Sequence, residues 1–357
     1  MRIKYCFIFL FLFAFSKLFA QEDMPFTFFP WAQSFYNPGA MGEKENHLNF
    51  IGILRQQSMM MKDSTYTNNP DEHDTNPNDK NKTKNKNGTP QDVQDVLINI
   101  DSYIKQIKGA VGVTFFKDRI DKFDNIGFNL GYATKLKVRR GKLGIGVQFV
   151  FLNTKIVQSA KWEPNQQGDP TLALLQGEQS SVMDFDMNFG VHYKTPTWYV
   201  GVSGTQLLGR VRISGEKDVL TKLPRQLYVT GGYIWELKTP VPWSIEPHVL
   251  IRTNLATWQL HVMALARYNG ILWFGLGYQD LGIAALFGAV PFYNQGNEYL
   301  KNLELGVAFT FPTVKYGLVK TGSFGDFELI VRYGFNFYKE KALSGYGSSR
   351  HLYKNQY

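Results

Sequence analysis

The chain has 357 residues, a formal net charge of +9 at pH 7 and 15% aromatic residues. Its lysines and arginines are scattered rather than clustered in one stripe, which disfavours nucleic-acid binding, so no nucleic-acid partner is expected. After the first twenty residues no stretch reaches 18 consecutive apolar residues, which argues against an α-helical membrane protein.

The first twenty residues have the pattern of an export signal. A positive start precedes the apolar segment Tyr5–Phe15, and the small residue Ala20 stands at the expected cleavage site. Residues 1–20 are therefore predicted to be a signal peptide, with an uncleaved N-terminal anchor as the alternative. The one cysteine, Cys6, lies in this signal, so the mature chain is predicted to have no disulfide and no cysteine-based metal site.

Residues 21–46 form an N-terminal lead-in that is aromatic, interrupted by prolines and without a two-residue period. Its characteristic residues are Phe26, Phe28, Phe29, Pro30, Trp31, Phe35, Tyr36, Asn37 and Pro38. Such a segment can fold into the mouth of a barrel as a small plug.

Residues 47–338 repeat a two-residue alternation of apolar and small-or-polar side chains, which separates the two faces of a β-strand. Within 142–153, one face carries Leu143, Ile145, Val147, Phe149 and Phe151, and the other carries Lys142, Gly144, Gly146, Gln148 and Val150. An apolar face opposite a face of glycine, amide and charge is typical of a strand with lipid outside and water inside. The sequence therefore predicts an all-β fold, a transmembrane antiparallel outer-membrane β-barrel. The alternative, a soluble β-sandwich, is disfavoured by the export signal and the glycine-rich inner face.

About fourteen strands are predicted, and twelve remain possible because segments 282–291 and 314–321 fit the pattern less well. The predicted strands are 47–59, 106–118, 124–138, 142–156, 182–194, 197–208, 225–237, 243–254, 257–268, 270–279, 282–291, 302–312, 314–321 and 325–338.

Residues 61–95 are rich in Asn, Asp, Lys, Thr and Pro and are predicted to be a disordered polar loop. Asp71, Asp74 and Asp79 lack the glycine-anchored register of a calcium loop, so no metal is expected there. If both termini are periplasmic, this loop is external, whereas connections 157–181 and 209–224 are periplasmic, where turns are normally short. Either a strand is miscounted, or the barrel presents a large periplasmic face that suits partner docking.

The inward faces of 243–254 and 257–268 are the most charged adjacent pair of predicted strands. A hairpin turning near residue 255 places His248 roughly opposite His261, which suits either a metal or proton site or a charge-neutralising filler of the barrel. We favour the second interpretation, because an arginine beside a metal cation is repulsive. The predicted lumen polar network comprises Glu246, His248, Arg252, His261 and Arg267.

Catalytic residues are not predicted. Ser244 and His248 share a strand face but lie about 13 Å apart, too far for a nucleophile–base hydrogen bond. No glycine elbow surrounds a serine, so we expect no enzyme and no cofactor. A porin or small-solute transporter remains the alternative, because a wet lumen is compatible with the inward residues Lys135, Lys137, Asp184, Asp186, Arg252 and Arg267.

Residues 339–357 form a basic tail beyond the closing strand, predicted to be periplasmic. It contains Lys339, Lys341, Arg350, His351 and Lys354. A disordered appendage and a peptide that binds another protein are both compatible with this composition.

Six short blocks in the same order resemble the PorP/SprF family of outer-membrane proteins. The blocks are Phe35–Gly42, Leu54–Gln57, Gly109–Asp118, Tyr199–Ser203, Gly322–Tyr333 and Ser349–Leu352. The Phe35–Gly42 block, for example, is similar to the family's Asn-Pro-Ala block, and Leu54-Arg55-Gln56-Gln57 is similar to its Tyr-Arg-Gln-Gln block.

This resemblance implies a non-enzymatic barrel of the type IX secretion and gliding system, in the Gram-negative outer membrane in contact with its lipid and lipopolysaccharide. The implied partners are periplasmic ring proteins, an OmpA-like peptidoglycan-binding lipoprotein, or the C-terminal domain of a secreted adhesin. The residues that we predict to contact such partners are Phe35, Tyr36, Asn37, Pro38, Arg350, His351 and Leu352.

Overall fold

The computed structural model describes residues 26–42, 47–57, 93–120, 123–156, 181–209, 211–214, 225–279, 282–293, 300–312 and 325–336. The predicted signal, most of the 61–95 loop, the predicted strand 314–321 and the tail lie outside these residues. No helix in the described ranges combines the length and the apolar character needed to cross a bilayer.

The described chain folds into antiparallel strands that close on themselves. The strands are His47–Gln57 (β1), Val93–Ile104 (β2), Gly109–Ile120 (β3), Phe123–Val138 (β4), Gly141–Ile156 (β5), Ser181–Lys194 (β6), Trp198–Thr205 (β7), Val211–Ser214 (β8), Gln226–Tyr233 (β9), Trp235–Leu237 (β10), Trp243–Thr253 (β11), Trp258–Tyr268 (β12), Leu272–Gln279 (β13), Gly282–Ala289 (β14), Leu303–Pro312 (β15) and Asp326–Asn336 (β16). A short helix, Gln33–Tyr36 (α1), and a 3-10 turn, Pro38–Ala40, precede β1.

The barrel closes where β1 pairs with β16. Each strand otherwise pairs with its sequence neighbours, except that β8 resumes the course of β7 along β6, and β9 and β10 share the neighbour β11. If β7 and β8 are counted as one strand of the barrel, and β9 and β10 as another, the barrel has fourteen strands. The predicted all-β, fourteen-stranded barrel is therefore confirmed.

Alternate residues of each strand face outward or inward, as the two-residue period predicts. The exposed side chains of the outer face include Phe115, Phe149, Val202, Phe274 and Leu329, whereas the inward partners are buried. A continuous apolar exterior of this kind matches the hydrocarbon core of a bilayer.

One strand of the barrel was missed by the sequence prediction. Residues 93–104 form β2 between β1 and β3, so the predicted polar loop ends before Val93 rather than at residue 95. The predicted strand 314–321 lies outside the described residues, and β15 pairs directly with β16 without a strand between them. The fourteen described strands of the barrel therefore include β2 and do not include 314–321.

The missing strand also reverses the predicted sides of two connections. We call the end of the barrel at which His47 pairs with Asn336 the terminal mouth, and the opposite end the loop mouth. With β2 included, the chain leaves β5 and β7 at the loop mouth, as it leaves β1. The ends of the strands that flank 157–181 and 209–224 therefore lie at the same mouth as those that flank 58–92, so of the two alternatives the miscounted strand applies and not the large periplasmic face.

Candidate functional site

The lead-in lies inside the barrel. Its aromatic side chains Phe26, Phe28, Phe29, Trp31 and Tyr36 are buried in one cluster with inward side chains of the wall. Phe28 meets Trp273 edge-on at 6.2 Å between ring centroids, and Trp31 lies 5.0 Å from the same indole. Because aromatic rings bury a large apolar area, this cluster supplies the barrel with a packed core.

Toward the loop mouth, one carboxylate of the wall binds Thr27 of the lead-in. Glu328 on β16 accepts hydrogen bonds from the Thr27 amide at 2.8 and 2.9 Å and from the Thr27 hydroxyl at 2.7 Å. The Gln279 side chain donates to the Thr27 hydroxyl at 2.6 Å. Charge-assisted bonds from backbone amides to a carboxylate are among the stronger hydrogen bonds in proteins, so Glu328 acts as an anchor.

The Glu328 carboxylate belongs to a buried ionic cluster around Arg55. The Arg55 guanidinium lies 3.6 Å from Glu328, 2.8 Å from Asp326 and 3.6 Å from Asp95. These charged side chains stabilise one another inside the barrel. Removal of any one of them leaves its partners buried without full compensation of their charge.

Toward the terminal mouth, Asp101 on β2 collects donors from the lead-in and from neighbouring strands. Its carboxylate accepts hydrogen bonds from the Gly42 amide at 2.7 Å, from Asn99 at 2.8 Å and from Asn49 at 3.3 Å. The Ser34 hydroxyl is also within 3.4 Å. Gly42, the last described residue of the lead-in, is therefore fixed to the wall.

Between these anchors, Asn37–Gly42 presses against a glycine-lined wall, which we call the glycine cradle: Gly112, Gly131, Gly144, Gly146, Gly190 and Gly201. A Cβ atom on Gly144 would lie 2.1 Å from the Gly39 carbonyl oxygen, and one on Gly190 would lie 2.1 Å from the Asn37 amide oxygen. At Gly144 and Gly146 the two backbones approach too closely for a side chain, whereas the other cradle glycines make room for the side chains of Asn37 and Met41.

Hydrogen bonds to the wall also hold the segment around Asn37. The Asn37 amide donates to the carbonyl of Val191 at 3.0 Å, and its oxygen accepts from the Gly39 amide at 2.9 Å. The Lys135 ammonium donates to the Gly39 carbonyl at 2.8 Å, and the Ser203 hydroxyl donates to the Tyr36 carbonyl at 2.7 Å. The segment's backbone groups are thus satisfied by the wall, as burial demands.

The predicted partner-contacting residues Phe35, Tyr36, Asn37 and Pro38 lie in this interior seat. The Tyr36 hydroxyl accepts the Phe26 amide at 3.2 Å, and burial raises its pKa well above the usual value, so it stays neutral. Any partner that touches these four residues has to reach them inside the barrel. Arg350, His351 and Leu352 lie outside the described residues, and their role stays a prediction.

The residues of the predicted lumen polar network lie in two separate groups. The His248 ring nitrogen lies 3.1 Å from the Tyr199 hydroxyl, and the Arg267 guanidinium lies 3.2 Å from Glu246. Arg267 also contacts Glu304 at 3.2 Å, a residue that the sequence analysis did not single out. This part of the network lies at the terminal mouth, beside a pocket of ≈ 100 Å³ whose ceiling includes Trp31 and Gln33 of the lead-in.

His261 and Arg252 lie away from this group. His248 is paired with Met263 and His261 with Leu250, so the two histidines are offset by two residues instead of facing each other. The reason is that the hairpin turns between Asn254 and Thr257, and a shift of its centre moves the register. His261 contacts the Phe29 ring, and among the described residues no group of three potential ligands could hold a metal ion.

The contacts of Thr27, Asp101 and Glu328 and the role of the glycine cradle were not predicted from the sequence. A signal for the cradle is present, since Gly131, Gly144, Gly146, Gly190 and Gly201 occupy inward positions on four consecutive strands. A run of glycines on one face predicts the close approach of another backbone.

Several solved barrels are similar to this chain at low identity. The toluene transporter TbuX of Ralstonia pickettii matches with a TM-score of 0.48 and 12% identity, over 86% of this chain and 94% of that one. The monoaromatic hydrocarbon channel CymD matches at 0.46 and 11%, over 86% and 93%. A FadL homologue of Pseudomonas aeruginosa matches at 0.41 and 11%, over 85% and 93%. No curated protein matches the sequence.

The closed antiparallel barrel with its apolar exterior defines a β-barrel membrane protein of the outer-membrane type. A family model described as type IX secretion system membrane protein PorP/SprF matches residues 18–333. The chain therefore belongs to the PorP/SprF family, as the sequence resemblance predicted.

Proposed function

We propose that this protein is a non-enzymatic component of the type IX secretion system that docks or anchors other proteins at the outer membrane. Family membership supports the assignment to the secretion system. The observation that carries the docking role is the filled interior: the lead-in occupies the lumen through the aromatic cluster, the Glu328 anchor and the glycine cradle. A barrel filled by its own chain suits a scaffold better than a conduit.

In this proposal a signal peptide exports the chain to the Gram-negative outer membrane, and the terminal mouth faces the periplasm. The described connections at that mouth are short, as is usual for the periplasmic side of such barrels. The partners are periplasmic ring proteins or an OmpA-like peptidoglycan-binding lipoprotein on this side, and secreted adhesins on the other.

The rival function is passage of small solutes, either as a porin or as a transporter of apolar compounds. Three of the inward charges that are compatible with a wet lumen have contacts within the barrel: Lys135 binds the lead-in, Arg267 pairs with two glutamates, and Asp186 accepts the Leu208 amide at 3.0 Å. These contacts leave the rival function without a specific observation in its favour.

Deletion of residues 339–357 is expected to leave insertion of the barrel unchanged and to abolish co-purification of its partners. The tail follows the closing strand and is not needed to pair β16 with β1. The measurement is recovery of type IX secretion proteins with the tagged full-length chain and the deletion variant from native membranes, at matched amounts of folded barrel. Undiminished recovery with the variant would remove the tail from the docking role.

A further inference from the structure

Positive charge is concentrated on one part of the terminal mouth. Residues 102–110, 134–144 and 192–198, which form the ends and turns of β2–β7 there, include no Asp or Glu. They include eight basic residues, of which Lys135 binds the lead-in. The others form what we call the basic arc: Lys105, Lys108, Lys137, Arg139, Arg140, Lys142 and Lys194.

Three lysines of the arc lie in one row across three adjacent strands. Lys137 on β4 is paired with Lys142 on β5, and Lys142 is paired with Lys194 on β6. The three lysines therefore lie at neighbouring positions on one face of the sheet, and together they place positive charge at one part of the rim.

The lysine row of the arc faces the aqueous mouth and not the bilayer. The strand neighbours Leu136, Val138 and Tyr193 occupy the alternate, outward positions, which places Lys137, Lys142 and Lys194 on the lumen side. Arg139 and Arg140 form the tip of the β4–β5 turn and are exposed. Phospholipid headgroups surround the outer wall of a barrel, so this orientation favours a ligand that approaches along the barrel axis.

The other strand ends that the structure describes do not repeat this concentration. On the other half of the terminal mouth, Arg267 and Arg332 pair with Glu304 at 3.2 Å. The opposite ends of the arc's own strands carry the carboxylates Asp95, Asp118, Asp124, Asp184 and Asp186. The field of the arc is therefore directed out of the terminal mouth, where it attracts anionic partners over a distance of about 10 Å at moderate salt.

We propose that the basic arc is a docking surface for an acidic segment of a protein partner. The inference rests on the proposed docking function and adds to it the surface and the chemistry that recognises the partner. A polypeptide is favoured over a lipid because the lysine row points into the mouth, and several carboxylates in one segment can reach the row and the turn tips together.

The arc variant is K137E/R139E/R140E, and the matched control is K238E/K301E, which reverses two exposed lysines elsewhere on the same rim. Binding of a fluorescent decaglutamate peptide to the purified full chain in neutral detergent is measured for each. We expect wild type and control to bind with the same affinity within about twofold, and the arc variant to bind at least about tenfold more weakly. Binding should also weaken as salt is raised.

Equal binding by the arc variant, or no binding by the wild type, would overturn the proposal. Nanodiscs with and without phosphatidylglycerol provide the lipid arm. If the arc variant loses affinity for phosphatidylglycerol but not for the peptide, the arc is a lipid site and the proposal is wrong. Semi-native gels report whether each variant is folded, and a milder variant, K137Q/R139Q/R140Q, keeps the comparison decisive if the reversal prevents folding.

Pull-downs from native membranes separate this inference from the proposed function. If the wild type and the arc variant recover the same type IX secretion proteins equally, the arc is not the docking surface, although docking itself stands. If the wild type recovers none of these proteins, the docking function fails, whatever the peptide measurement shows.

Discussion

Replacement of Gly144 and Gly146 by alanine is expected to dislodge the lead-in from the barrel wall. The added Cβ atoms would lie 2.1 Å from the Gly39 carbonyl oxygen and 2.4 Å from the Pro38 carbonyl carbon, which are backbone atoms that cannot rotate away. Overpacking of a tight interior costs about 1–3 kcal/mol per site, so the double variant should lose about 2–6 kcal/mol of unfolding free energy or release the segment.

The free energy of unfolding is measured by denaturant titration in neutral detergent. Gly277→Ala is the matched control, because that inward strand glycine has no neighbour closer than 3.4 Å to the added Cβ. The control should change the unfolding free energy by less than about 1 kcal/mol, in the stabilising direction, since alanine restricts the unfolded chain.

A thiol at Ala32 reports the position of the lead-in directly. Ala32 is fully buried in the aromatic cluster, and the one native cysteine lies in the predicted signal. Ala32→Cys should resist maleimide in the wild-type background and react in the Gly144→Ala, Gly146→Ala background. Equal protection in both backgrounds, with unchanged stability, would mean that the glycine cradle does not hold the segment.

Glu328→Ala is the second substitution with a large expected effect. It removes the acceptor of the Thr27 amide and hydroxyl and one of three carboxylates around Arg55, which is 2% exposed. Breaking a buried ionic cluster by removal of one partner costs about 3–5 kcal/mol, and the remaining Asp95 and Asp326 place the expectation near the lower end.

The same denaturant titration checks this expectation, with Glu236→Ala as the control. Glu236 is an exposed strand residue, so its loss should change the unfolding free energy by less than about 0.5 kcal/mol. Glu328→Gln keeps the size and one acceptor but loses the charge, and should fall between the two. If Glu328→Ala costs no more than Glu236→Ala, Glu328 is not an anchor of the lead-in.

Much of the wall was predictable because the two-residue period is local. Trp198, Val200 and Val202 face out and Tyr199 and Ser203 face in, as the alternation requires. β2 was missed because its first residues include the polar Gln94 and Asp95 next to a polar segment, and because its inward Leu97 interrupts the alternation between the outward Val96 and Ile98. Because this strand was missed, the connections that follow it were assigned to the wrong mouth of the barrel.

The interior could not be predicted in the same way, because its contacts join distant parts of the chain. Thr27 and Glu328 are 301 residues apart, and no local pattern relates them. The glycines were interpreted as lining a water-filled lumen, although they make room for the segment Asn37–Gly42. Sequence also placed His248 opposite His261, since the centre of a short hairpin turn is not fixed by the strand pattern.

Single-channel conductance of the purified wild-type barrel in a planar bilayer tests the central claim most directly, because that claim is a lumen filled by the lead-in. The wild type should insert without a steady open current, and the Gly144→Ala, Gly146→Ala variant should show larger and more frequent openings. A large steady conductance from the folded wild-type protein would contradict the account and restore the solute channel.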